Sequence, residues 1–200
     1  MSQETWEILC GMKADDVELQ LALQCAPLIT GLKISNLLTI LPDGFSKVEK
    51  IIEGSVLSLY PLLETEEKIV ILLYREDRLG KYLKIPQVQK LLQEAGYESS
   101  QLEDILPVFC NRYETYVERG KSFPHELGLL LGYPPEDVDG FIRHQGKNSL
   151  CTGYWKVYAD KEGKQKLFEK YEYARDNLIQ LLHYGLKMTE IIDICGGSVA

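Results

Sequence analysis

"KIVILLYR", residues 68–75, decides how this chain folds. Its run of β-branched and aliphatic side chains has no polar alternation, so it reads as a strand covered on both faces. Upstream, "KISNLLTIL" (33–41) is a second strand, closed by the turn signal Pro42-Asp43-Gly44. Between them Val48, Ile51, Ile52 and Val56 share one stripe of an expected helix over about 45–59, which Pro61 would end. Strand, helix and strand over 33–75 lead us to expect a right-handed, parallel βαβ unit.

Helical spacing extends on both sides. Val17, Leu21, Cys25 and Leu28 predict a helix over about 14–26, stopped by Pro27. Helices are expected at about 76–83 and 86–95, the second capped by Gly96 with Tyr97 folding back. Ser100 and Glu103 match a capping box for a helix to about 118, with a kink at Pro107. "CTGYWKVY" (151–158) alternates as a third strand, with Tyr154, Lys156 and Tyr158 on one face and Trp155 and Val157 on the other. A long helix over about 161–184 follows, capped by Gly185, and Thr189 would start a short last turn. The expected class is α/β: a small three- to four-stranded sheet surrounded by six to eight helices, with a long C-terminal helix. A single domain over 1–200 is expected, with 196–200 as a flexible tail.

Composition bounds the function. An apolar fraction of 45% and a charged fraction of 26% are those of an ordinary globular chain. With 30 acidic against 22 basic residues and a net charge of -8, the chain offers no basic face for nucleic acid. The first residues are neither basic nor apolar enough for a signal peptide, and "IVILLY" is far too short to span a bilayer. A cytoplasmic protein without membrane insertion is therefore expected. Five scattered cysteines, at 10, 25, 110, 151 and 195, form no disulfide framework and no CxxC pair.

The chemistry-bearing residues concentrate in "FPHELGLLLGYPPEDVDGFI" (123–142) and the following "RHQGKNSLCTGYWKVY" (143–158). Pro124 suits the first position of a helix, which would place His125 and Glu126 in its first turn. There a neutral imidazole beside a carboxylate would serve as proton acceptor or metal ligand, or the pair would only cap the helix and hold residues 110–122. Gly132-Tyr133-Pro134-Pro135 ends one helix and begins the next, and Gly146 ends that one. Cys151 follows a loop bearing Lys147, with Arg143 upstream, and nearby cations would favour its thiolate; a small buried hydrophobe is the plain alternative. Cys25 sits at a helix C-terminus on an apolar stripe, where thiolate is disfavoured. Tyr154, Trp155 and Tyr158 could stack on a flat cofactor or a base, or form core, and Lys156 on the same strand is a further candidate. Arg75, at the carboxyl end of the 68–75 strand, is a candidate anion anchor or a salt-bridge partner of Glu76 or Asp77. No phosphate loop, GxSxG, paired-histidine motif or triad spacing is present.

These same stretches, with "CAP" at 25–27, "GLK" at 31–33, "LLYR" at 72–75 and "AGY" at 95–97, resemble a bacterial family described only as a domain of unknown function. The resemblance spans about residues 20–185. It implies a protein found chiefly in anaerobic bacteria, with genes near those for flavodoxin-type or ferrous-iron uptake proteins. Relatives carry "PAN" where this chain has Ile34-Ser35-Asn36, so nothing is carried over to that corner. The resemblance implies a setting of anaerobic iron or redox metabolism, with a flavodoxin-like or iron-uptake protein as partner, and assigns no role and no cofactor. The concentration of polar and aromatic residues in 123–158 leads us to expect a binding or accessory role there. A small enzyme using Cys151 or the His125/Glu126 pair, and a purely structural interaction module, are the alternatives.

Overall fold

The computed structural model describes residues 3–13, 15–120 and 123–196. The expected tail lies outside them from residue 197 onward. Two compact units are formed: residues 1–76 with 170–200, and residues 77–169.

The first unit holds the sheet. Helix α1 (Gln3–Gly11), which periodicity did not reveal, precedes α2 (Val17–Ile29). Asp16 caps α2, its carboxylate accepting from the N–H groups of Glu18 at 2.8 Å and Leu19 at 3.3 Å. Pro27 does not stop this helix but lies within its last turn. Its carbonyl accepts from Lys33 N at 2.8 Å, so the helix end is still satisfied. Strand β1 (Ser35–Ile40), helix α3 (Phe45–Ile52), strand β2 (Ser58–Glu64) and strand β3 (Ile69–Tyr74) follow.

The parallel βαβ expectation is corrected here. The sheet order is β1-β3-β2, and β3 is antiparallel to both neighbours. The helix after β1 ends at Ile52, and residues 58–64, expected as helix end and loop, are the strand β2. Pro61 is tolerated because β2 is an edge strand whose register shifts between Pro61 and Leu63. β1 and β2 thus run alike on either side of an inserted, reversed β3. A strand buried on both faces reads the same in either direction, so its composition could not distinguish the two arrangements. All six residues of β3 are buried, as expected. Ile69, Ile71 and Leu73 join the core made by α2, α3, the second half of α9 (Lys161–His183) and α10 (Met188–Gly196).

Helix α10 starts one residue before Thr189, and acidic side chains cap it. Lys187 N donates to Glu190 at 2.8 Å, and Met188 N donates to Glu18 of α2 at 2.7 Å.

The second unit is helical with one hairpin. It contains nearly all of α4 (Glu76–Leu83), then α5 (Pro86–Glu94), α6 (Leu102–Arg119), α7 (Leu127–Leu130), α8 (Pro135–Arg143) and the hairpin β4 (Cys151–Thr152) and β5 (Lys156–Val157). Gly96 and Gly132 adopt φ of 84° and 67°, which a side chain disfavours, while the amides of Tyr97 and Tyr133 close back onto Leu92 and Gly128. The expected capping box does not form. Gln101 is the N-cap of α6, Ser99 receives its amide at 3.0 Å, and Ser100 accepts from Gln89 instead.

A helix-rich α/β fold results: among the described residues 59% are helical, with one three-stranded and one two-stranded sheet.

A cavity lined by aromatic rings

Residues 123–158 build one corner of the second unit. Pro124 leads a turn and not a helix: Leu127 N donates to Pro124 O at 3.1 Å, and α7 begins only at Leu127. His125 and Glu126 are consecutive in that turn, and their side chains part. Glu126 is 7% exposed and accepts from the Arg112 guanidinium at 2.8 Å and the Tyr97 hydroxyl at 3.2 Å. Arg112 also donates to Ala95 O and lies over the Tyr97 ring. Glu126 thereby holds α6 to the end of α5. Burial, with Glu126 alongside, pushes the Tyr97 hydroxyl well above its ordinary range, so it remains a donor.

The imidazole of His125 instead enters a row of rings. Its centroid is 5.7 Å from Phe123 and 5.4 Å from Phe141. The expected strand 151–158 is in fact a hairpin, pairing Cys151 with Val157 and Thr152 with Lys156. Gly153 N donates to Trp155 O at 3.0 Å, so Tyr154 and Trp155 occupy its turn. A Cβ on Gly153 would lie 2.4 Å from the Phe168 ring, and only glycine lets this turn approach α9 so closely.

Asp137, in the first turn of α8, fixes the hairpin. It is 2% exposed. One oxygen accepts the indole N–H of Trp155 at 2.7 Å, and the other accepts the amides of Tyr158 at 2.7 Å and Ala159 at 3.1 Å. Tyr133 stacks on Trp155 at 4.7 Å with an interplanar angle of 27°, and burial pushes its hydroxyl up to about 12. Phe168 meets the other side of Trp155 edge-on. Helix α8 packs so closely on this strand end that a Cβ on Gly140 would lie 2.5 Å from Tyr158 Cβ. Gly140→Ala is therefore expected to cost about 2 kcal/mol by overpacking. Thermal unfolding checks this, and an unchanged melting temperature would mean the contact yields freely.

Together these elements line a half-open cavity of about 380 Å³. Six rings line it: Phe123, His125, Tyr133, Phe141, Tyr154 and Trp155. Lys156 lies on the same wall, its ammonium 2.6 Å from Gly146 O and 5.8 Å from the centre of the Phe141 ring. A second cavity of about 730 Å³ is lined by Glu94, Asn111, Arg112 and Glu126 among others, and Phe123, His125 and Val138 border both.

Four of the eight candidate residues thus line the first cavity: His125, Tyr154, Trp155 and Lys156. Glu126 borders the second. Lys147 is exposed and lines neither, and Arg143 is engaged with Asp139 at 2.8 Å. Cys151 is half-buried; the wall includes the next two residues, Thr152 and Gly153, but not the cysteine. Arg75 belongs to the first unit. It is 3% exposed and donates to the carbonyls of Leu28 and Ile29 at 3.3 and 3.0 Å, where it serves the C-terminal end of α2. Cys25 is sealed in that core, and burial raises its thiol to about 12, in keeping with its expected inertness. Among the described residues no group of three or more His, Cys, Asp or Glu is poised to hold a metal ion, and no helix is long and apolar enough to cross a membrane.

Sequence reading missed Phe123, Phe141 and Asp137 as parts of this site and saw Tyr133 only as a cap. The available signal was aromatic density: four ring-bearing positions flank two proline- and glycine-marked turns within one short stretch.

Fold and site together define a helix-rich α/β protein carrying a small aromatic-lined cavity. The chain belongs to the family of proteins of unknown function DUF3793, which matches residues 21–192 and so spans both the sheet and the cavity. No curated protein and no solved structure matches it.

Proposed function

We propose that this protein binds a planar aromatic small molecule in the ring-lined cavity and acts by binding, not turnover. The wall itself carries the reading: six rings surround about 380 Å³, within the roughly 300–1,000 Å³ of small-molecule sites. Ring faces and edges recognise a flat π-system by offset and edge-to-face contact, each pair contributing about 0.5–1.5 kcal/mol beyond area burial. Catalytic chemistry finds less support, because the Glu126 carboxylate is engaged by Arg112 and Tyr97 and the wall omits Cys151.

The family resemblance adds the setting of anaerobic iron or redox metabolism in the cytoplasm. In that setting a flavin-type ring system is the planar group of interest, and a flavodoxin-like or iron-uptake protein is the partner.

The test uses fluorescence. The sequence has two tryptophans, and Trp6 is 59% exposed, so Trp6→Phe leaves buried Trp155 as sole reporter. Titration with lumiflavin, the flavin ring bearing only a methyl group in place of its side chain, is expected to quench Trp155 saturably. Phe141→Ala is expected to weaken binding about tenfold, matching one lost ring contact. Absence of quenching, with no chromophore on protein purified without oxygen, would overturn the proposal.

A further inference from the structure

The polar groups on the cavity wall are not balanced, and this specifies the ligand further. Asp137 is the wall's carboxylate, yet both its oxygens are engaged by the Trp155 indole and the amides of Tyr158 and Ala159. Tyr133 directs its hydroxyl to Tyr154 O. The remaining charge is Lys156. Its half-buried ammonium donates one N–H to Gly146 O and faces the Phe141 ring, and it makes no ion pair among the described residues. Two of its three N–H groups stay available.

His125 adds a second donor. Its Nδ1 is buried without a hydrogen-bond partner. A proton there would bury an unpaired N–H between the Phe123 and Phe141 rings, so the neutral ring is better served with its proton on Nε2. Lys156 and His125 both line the cavity, and each lies beside the same Phe141 ring. In a protein of net charge -8 this is a local arrangement and not part of a general basic surface.

We infer that the ligand of this cavity is a planar aromatic anion, its ring held among the aromatic side chains and its acidic group held by Lys156 with the Nε2–H of His125. This rests on the binding role proposed above and assigns the chemical class of the ligand. A charge-assisted contact is roughly twice as strong as a neutral one, which makes the acidic group the source of selectivity.

Two probes of matched shape test it: naphthalene-2-carboxylate and naphthalene-2-carboxamide, titrated calorimetrically into the full-length protein. The carboxylate is expected to bind at least tenfold more tightly. Lys156→Met is expected to abolish that preference by weakening the carboxylate more than the carboxamide, and Lys156→Arg is expected to retain it. His125→Phe, which keeps the ring, is expected to reduce the preference a few-fold. Equal binding of the two probes, or a preference that survives Lys156→Met, would overturn the inference and leave the cavity a site for neutral rings. Binding of neither probe would remove the cavity reading and this inference with it.

Discussion

Replacing Asp137 by alanine is expected to lower the melting temperature by roughly 6–12 °C, from a loss of about 3 kcal/mol. The carboxylate is 2% exposed and is the acceptor for three N–H groups, one of them on the buried indole of Trp155. Truncation leaves those donors facing hydrocarbon, and each buried unsatisfied donor costs about 1–3 kcal/mol. Asparagine separates the two halves of the contact. Its carbonyl oxygen can still accept the amides of Tyr158 and Ala159, but its NH2 group then confronts the Trp155 N–H, donor against donor. Asp137→Asn is therefore expected to be milder than alanine in thermal unfolding, yet to release Trp155 and shift its emission. Native-like stability of Asp137→Asn, with Trp155 emission unchanged, would show that the carboxylate anchors the backbone alone.

The second large effect lies in the first unit and is a dependence on pH. Lys33 is 7% exposed, donates to Asn36 at 2.7 Å, and burial lowers its ammonium from 10.5 to about 8. Below about pH 8 both folded and unfolded chains carry this charge, and the folded chain bears its desolvation. Between about 8 and 10.5 the folded chain has released the proton while the unfolded chain still holds it, so unfolding takes up a proton and stability rises with pH. The rise totals about 3 kcal/mol across that window, about two-fifths of it gained by pH 9. Cys25 opposes this. Its thiol is raised from 9.0 to about 12, so the unfolded chain loses that proton first and stability falls above pH 9. The comparison is therefore made in a Cys25→Ala background, with and without Lys33→Met, by urea unfolding from pH 7 to 10.5. Other titrating groups cancel in the difference. A pH-independent difference between the two variants would mean that Lys33 is solvated in the folded chain.

Some helix boundaries were legible because they are written in local chemistry, although Pro27 and Pro124 marked none. Gly96-Tyr97, Gly132-Tyr133 and Gly185-Leu186 all close as their residues predict, and Pro135 opens α8. Strand β3 was legible from composition, but its direction was not, since a buried run carries no sign of parallel or antiparallel pairing. β2 was hidden by Pro61, read as the end of a helix, because its edge position and register shift are tertiary facts. The capping box failed for a related reason: Gln89 competes for Ser100, a contact from the preceding helix.

His125, Tyr154, Trp155 and Lys156 line one cavity, and all four fall in the one segment that sequence reading singled out. Arg75 was assigned from a rule about the carboxyl ends of parallel strands, and the sheet is antiparallel. Asp137 could not be found from spacing, because its acceptor role depends on an indole and two amides 18–22 residues away.

The central claim, that the cavity beside Trp155 takes a flat ligand, is tested most directly by the two indole N–H resonances of the 15N-labelled protein. On adding naphthalene-2-carboxylate the account predicts a saturable shift of the Trp155 resonance, with that of Trp6 unmoved. A Trp155 resonance that stays in place to saturating probe, or a shift confined to Trp6, would contradict it.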